Sequence, residues 1–419
     1  MRITPLEGWV AEKIQHPKLT RRALEKYQLA KLQAGIQFAR AKSPFYRRLL
    51  ADIPNLSQLS DLAQLPFTTA DDIRQQPLQL LCVSQDEIHR VVTLDSSGTT
   101  GQPKRLYFTP DDQQLTIDFF RVGMSTFTNP NDRILILLPG ESAGSVGDLL
   151  ATALQQLGAV PIKHGPVRDP IATLNIIQKE NIAGMVGVPT HVLALARQPY
   201  LPMPKLKSVL LTTDHVPNAI KDAVEQAFGC TVYNHYGMTE MGLGGGVECE
   251  ARHGYHLREA DLFVEIIDPA TGQILPDGEY GEVVFTTLTR RGMPLIRYRT
   301  GDVSRFIPDS CPCGTCLKTL EKVTHRLNGQ VMIDGKSITM ADLDEALFPL
   351  DGVLNFRATV LRENGLDTLQ LEVKFIGELE PARVVQAAQT LTSRVTVQLV
   401  SDLPTSMAKR AIVDTRGHA

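Results

Sequence analysis

The chain is poor in cysteine, with six in 419 residues, and three of the six are crowded into Cys311-Pro312-Cys313-Gly314-Thr315-Cys316. So sparse a set excludes a disulfide-stapled scaffold, and in a reducing compartment the crowding points to metal before disulfide. No apolar run approaches the length that a membrane helix needs. Charge of one sign is missing too: 43 basic against 46 acidic residues leave a net charge of -3. That balance gives no electrostatic reason to expect nucleic acid or a membrane surface as a partner. The opening Met1-Arg2-Ile3-Thr4-Pro5-Leu6-Glu7-Gly8-Trp9 lacks an apolar core of signal-peptide length, so a cytoplasmic enzyme is expected. Internal repeats, low-complexity segments and the Walker pattern Gly-x-x-x-x-Gly-Lys-Ser/Thr are absent as well.

What is present is a loop suited to phosphate. In Asp95-Ser96-Ser97-Gly98-Thr99-Thr100-Gly101-Gln102-Pro103-Lys104, hydroxyls, glycines and one lysine follow an apolar strand carrying Val91, Val92 and Leu94. Gly98 and Gly101 let the backbone approach an anion, Ser97, Thr99 and Thr100 donate hydrogen bonds, and Lys104 supplies charge.

Further along, short apolar runs alternate with helical patterns: 134–138 then 149–157, 184–188 then 191–197, 209–212 then 218–228, and 232–235. This is the rhythm of β-α-β units around a largely parallel sheet, whose ligands sit outside the carboxyl ends of the strands. Leu24, Tyr27, Leu32, Ile36 and Ala39 recur at helical spacing, and the basic residues among them read as a solvated face. After Tyr255 the texture becomes strands with turns, such as 262–267, Pro269-Ala270-Thr271-Gly272, then 281–288. Beyond residue 322 come two strands joined by a turn, a helix over 340–348, strands over 355–361 and 368–375, a helix over 382–392 and a tail. The length exceeds one ordinary core, and we expect an α/β protein of two domains, 1–324 large and 325–419 small.

Three ordered motifs carry a resemblance. The pattern Ser-Ser-Gly-Thr-Thr-Gly-x-Pro-Lys, then Asn234-His235-Tyr236-Gly237-Met238-Thr239-Glu240, then Arg297-Tyr298-Arg299-Thr300-Gly301-Asp302 resemble the signatures of the adenylate-forming superfamily. Ser43-Pro44-Phe45-Tyr46-Arg47-Arg48-Leu49 and Val264-Glu265-Ile266-Ile267-Asp268-Pro269-Ala270-Thr271-Gly272 resemble its phenylacetate-CoA ligase branch, which includes the coenzyme F390 synthetases. The resemblance implies a large adenylate-forming domain, with parallel sheets, helices and a β-subdomain, and a small, mobile α+β C-terminal domain. It also implies ATP, magnesium and coenzyme A as cofactors. Ser97, Gly98, Thr99, Thr100, Gly101 and Lys104 would hold the β- and γ-phosphates, Tyr236 would stack on adenine beside Gly237 and Met238, Thr239 would bond the α-phosphate, and Glu240 would hold magnesium. Asp302 would accept the ribose hydroxyls, while Asp214 falls where relatives carry a Gly-Ala-Glu-Pro run near adenine. The acyl pocket would lie between segment 139–147, with Gly140 and Gly147, and the strand end before His191. His191 reads equally as an ordinary helix-start histidine. Relatives are often homodimers.

The C-terminal signatures depart from the pattern. Aligning Ala408-Lys409-Arg410 puts Met407 where the family carries its adenylation lysine, which leaves Lys409 as the candidate cation. In His325-Arg326-Leu327-Asn328-Gly329 the guanidinium of Arg326 survives while the usual acidic pair does not, and Ile333-Asp334-Gly335 replaces a customary Arg-Gly. Separately, Cys249, His256, Cys311 and Cys313 would give four ligands suited to structural tetrahedral zinc, with His253 and Cys316 as competing ligands. The leading expectation is an AMP-forming ligase joining a small or aryl acid to a thiol, coenzyme A. The alternatives are an acyl-adenylate synthetase serving a carrier protein or an amine, and a nucleotide-binding protein without catalysis.

Overall fold

Thr20 starts the long N-terminal helix Arg21–Lys42, its hydroxyl accepting the Ala23 amide at 3.2 Å. Leu24, Leu32, Ile36 and Ala39 face inward as their spacing requires. The basic residues do not form a solvated face throughout, because Arg21 pairs with Glu259. Gln28 is buried beside it and donates to the Glu259 carbonyl at 2.9 Å. The computed structural model describes residues 1–94, 102–200, 202–323, 325–363, 365–403 and 409–416. The Gly98 and Gly101 loop, and Met407, lie outside the described residues.

The chain divides into two compact units. One comprises 1–129, 142–158 and 235–322, the other 130–141, 159–234 and 323–419. In the first unit, strands Arg90–Leu94 and Lys104–Phe108 pair antiparallel with Leu94 opposite Lys104. Thr109 and Asp112 form a reciprocal cap that launches helix Pro110–Met124, on which Val146–Gln156 packs. Strands Leu262–Ile267, Gly281–Thr287 and Tyr298–Ser304 run antiparallel in order, with a register shift between Glu282 and Val284. The intervening turn forms because Asp268 Oδ1 accepts the amides of Ala270 at 2.7 Å and Thr271 at 2.9 Å, the habit of aspartate at turns.

The second unit holds the expected parallel strands together with Val160–Lys163, which the sequence reading passed over, in the order Val160–Lys163, Arg133–Ile136, Gly184–Gly187, Ser208–Leu211 and then residues 231–234 of Thr231–Tyr236. Helices Pro170–Lys179, Pro189–Ala196 and Asn218–Phe228 lie between them in sequence. Numbered by sequence the order is 2-1-3-4-5, so direction reverses between Arg133–Ile136 and Gly184–Gly187, where α/β sheets open a crevice at their carboxyl ends. In the same unit a second sheet contains Val353–Glu363 and Leu366–Phe375 as an antiparallel pair. Val395–Val400, hidden in the sequence as part of a tail, lies parallel to Leu366–Phe375. Leu135 and Val209 of the first sheet and Phe228 of helix Asn218–Phe228 share one hydrophobic core with Leu343, Phe348, Phe356 and Val384 of the C-terminal segment. Among the described residues no helix is long and apolar enough to cross a membrane.

Candidate active site

Glu240 is 5% exposed and stands in the short turn Thr239–Met241 that follows the tyrosine motif. Lys104, the first residue of its strand, forms an ion pair with Glu240 Oε1, and the Tyr298 hydroxyl donates to the same oxygen at 3.0 Å. Burial pushes this carboxyl up, but the Lys104 cation and the Tyr298 hydroxyl outweigh it and hold Glu240 below the usual carboxylate range. It is therefore ionised at neutral pH. The turn can form only because Gly237 precedes it. A Cβ at Gly237 would stand 2.1 Å from the Leu243 carbonyl oxygen.

The tyrosine and aspartate motifs meet in this unit. Tyr236 donates its hydroxyl to Asp302 Oδ2 at 3.0 Å, and its ring stacks on Tyr255 with centroids 5.7 Å apart. Asp302 is fully buried, its amide donating to Thr300 Oγ1 at 3.0 Å. Gly301 takes φ +74°, the left-handed conformation glycine allows most readily. Of the other residues in this motif, Arg297 serves the fold. It forks onto Glu265 at 3.1 and 3.2 Å and donates to the carbonyls of Ala63 and Leu65.

In the second unit, Gly140 follows strand Arg133–Ile136 and His191 follows strand Gly184–Gly187, so both flank the point where strand order reverses. Burial, aided by the Lys374 charge, draws the His191 imidazole below its ordinary value, so it stays neutral at physiological pH. Gly147 belongs to the first unit, in the first turn of helix Val146–Gln156. Asp214 follows strand Ser208–Leu211, after Thr213 in a left-handed conformation with φ +77°, which a β-branched residue adopts only under strain. Its carboxylate accepts from Arg410 Nε at 2.8 Å. Arg410 also forks onto buried Asp344 at 2.7 and 2.8 Å. Burial acts against the Arg410 charge, but Asp344 and Asp214 outweigh it and raise its pKa, so it remains a cation. Lys409 adjoins that anchor, and Arg326 lies in the short strand His325–Arg326.

Cys249, His256, Cys311 and Cys313, all buried, put one potential ligand atom each within 4.8 Å of one another. Cys249 Sγ is 3.6 Å from Cys311 Sγ, and Cys313 Sγ is 3.5 Å from His256 Nε2. Burial pushes the Cys313 thiol up, but hydrogen bonds from His256 and from backbone amides overcome it and bring the pKa to about 6. His253 and Cys316 are not in this group. Cys316 instead follows Thr315, whose hydroxyl donates to Glu7 at 2.6 Å.

Sequence reasoning gave no role to Tyr298, Tyr255, Arg258, Arg290 or Asp344. The first lies inside a motif that had been read for its aspartate, and a finer reading of that motif would have found it. Isolated arginines and a helix aspartate carry no local signal, since their partners are distant in the chain.

The profile of the AMP-binding enzyme family matches residues 28–288. The chain is 30% identical over 374 residues to a phenylacetate-coenzyme A ligase of Thermus thermophilus, covering 85% of this chain and 82% of that one. It is 27% identical to a phenylacetate-coenzyme A ligase of Escherichia coli, over 84% of this chain and 82% of that one. The fold is similar to that of a 2-hydroxyisobutyryl-CoA ligase in the postadenylation state in complex with 2-HIB-AMP, with TM-score 0.80, 24% identity, and 94% and 90% of the two chains covered.

Proposed function

Because this chain belongs to the AMP-binding enzyme family, in its phenylacetate-CoA ligase-like branch, we propose that it is an AMP-forming ligase joining a small or aryl carboxylic acid to coenzyme A. In the first step a carboxylate oxygen attacks the α-phosphorus of ATP, the bond to the β-phosphate oxygen breaks, and pyrophosphate leaves with the bonding pair. In the second the thiolate sulfur of coenzyme A attacks the acyl carbon, and AMP leaves.

The observation that carries this reading is the convergence of Lys104 and Tyr298 on ionised Glu240, with Tyr236 bonded to Asp302 in the same unit. Charge develops on the departing phosphates, and preorganised groups aimed at it are what such a reaction needs. We assign the β- and γ-phosphates to Lys104 and the loop from Ser97 to Gly101, and the α-phosphate to Thr239. Adenine goes to Tyr236, Gly237 and Met238, and the ribose to Asp302. We assign Gly140 and His191, at the strand ends of the second unit, to the acid. Because segment 139–147 is small and polar, an acid without a bulky aryl group is preferred. Magnesium suits Glu240, since that ion takes one or two carboxylates plus substrate phosphates, and it would neutralise charge on the leaving pyrophosphate. Cytoplasmic location and a homodimer complete the reading.

The test is pyrophosphate release with magnesium-ATP over a panel of aliphatic and aromatic acids, with and without coenzyme A. Acid-dependent release with formation of an acyl-CoA is the expected result. Release without any thioester would move the acceptor to a carrier thiol or an amine. ATP binding with no release from any acid would leave the non-catalytic alternative.

We further assign zinc to Cys249, His256, Cys311 and Cys313, whose soft and borderline donors and mutual spacing suit a tetrahedral structural site. Purified protein should contain about one zinc per chain by elemental analysis. Cys311→Ser should lower that content and the melting temperature together. Zinc-free protein with an unchanged melting temperature would refute the assignment.

A further inference from the structure

Two arginines behind the Thr239–Met241 turn have no part in the reaction written above. Arg290 is 8% and Arg258 4% exposed. Arg290 Nη1 donates to the Glu240 carbonyl at 2.6 Å, and Arg258 Nη2 donates to the Met241 carbonyl. Thr116 completes the series, its hydroxyl donating to the Gly242 carbonyl at 2.8 Å. Three successive carbonyls of one turn are thus held by side chains from outside it.

A neutral donor would hold a carbonyl as well, and a buried cation is costly unless it is paired. These two are poorly paired. Arg290 Nε and Nη2 and Arg258 Nε have no hydrogen-bond partner among the described residues. Asp112 and Asp261 line the same small cavity of about 10 Å³, but both are engaged elsewhere. Asp112 accepts the amides of Arg291 at 2.9 Å and Gly292 at 3.0 Å. Asp261 accepts Lys13 at 2.7 and 2.8 Å and the Thr289 hydroxyl at 2.8 Å. Phe108 lies 4.4 Å beneath the Arg290 guanidinium, and Phe119 5.5 Å from that of Arg258, a cation–π contact for each, while Asp112 and Asp261 act on them through space without accepting a hydrogen bond from either. Guanidinium donors left open beside a turn that carries Glu240 make sense where an anion arrives from solution.

We propose that Arg290 and Arg258 are positioning residues of the adenylation site, fixing the Thr239–Met241 turn through its carbonyls and favouring the polyanion that Lys104 and Glu240 receive. The proposal rests on the ligase reading of that site.

Its test compares Arg290→Gln and Arg258→Gln with Arg290→Lys in the full chain. The readouts are kcat and KM for magnesium-ATP in acid-dependent pyrophosphate release, magnesium-ATP affinity by calorimetry, and the melting temperature. The glutamine variants should lose tenfold or more in kcat and bind magnesium-ATP at least tenfold more weakly, while Arg290→Lys keeps most of both. Glutamine variants with wild-type kcat and affinity would overturn the proposal. Where the glutamine variants fail to fold, a folded Arg290→Lys that has lost tenfold or more in kcat and in magnesium-ATP affinity would overturn it as well, because a retained cation would then not suffice. If the wild type binds magnesium-ATP but releases no pyrophosphate with any acid, the ligase reading fails while the affinity comparison still decides this one.

Discussion

We propose that Met407 takes the place of the family's adenylation lysine, and no rearrangement of a methionine delivers positive charge to a carboxylate and an α-phosphate. The nearest cation in sequence is Lys409, next to an arginine held by two aspartates. Met407→Lys should therefore raise acid-dependent pyrophosphate release about tenfold or more, since one well-placed charge is worth that much in such a site. An unchanged rate in Met407→Lys, with activity lost in Lys409→Ala, would give the role to Lys409 instead. Single residues were also where the sequence said least. Glu240, Tyr236 and Asp302 could be named because they sit in short ordered motifs, and Lys104 because it follows the glycine loop. That Lys104 and Glu240 touch each other could not be read, since the contact joins residues distant in the chain and depends on the turn that Gly237 permits.

Elements were readable where their periodicity was strong. The parallel strands and the helices after them fell close to their expected places because each is a short apolar run followed by a helical pattern. Strand Val395–Val400 escaped because its partner, Leu366–Phe375, is separated from it by a helix and pairs in parallel, leaving no hairpin turn to announce it. The C-terminal tail hid more than a strand. Arg410 joins it to helix Met340–Leu347 through Asp344 and to the end of strand Ser208–Leu211 through Asp214, and its guanidinium lies 5.3 Å from the Phe348 ring and 5.4 Å from that of Phe356. Removing one member of a buried ion pair strands its partners, so Arg410→Ala should cost about 3–5 kcal/mol in urea unfolding. Asp214→Asn, which leaves the fork onto Asp344 intact, should cost less. Equal losses in the two variants would show that Asp344 contributes nothing to the anchor.

For the whole molecule, the α/β class followed from the alternation of runs, but the division into two units did not, because each is assembled from three separated stretches of chain. We propose residues 324 and 325 as the junction of the C-terminal segment. Limited proteolysis should nick the folded chain near there first, as exposed linkers are cut first. Because that segment shares a core with the parallel strands, the two fragments should elute together until denaturant is added. Separation in native buffer would refute the shared core. The near-balanced charge of -3 means that no broad field draws ATP inward, and at the site itself Lys104 is already matched with Glu240. In the ligase reading proposed above, a metal–nucleotide would enter only if both changed partners together, the lysine turning to phosphate and the glutamate to the metal. The resting site is thus electrically self-quenched. In that reading it would answer to a complex that brings its own counterion and leave bare ATP competing with Glu240 for the lysine, so a preference for metal-bound nucleotide would be set before any substrate acid is met.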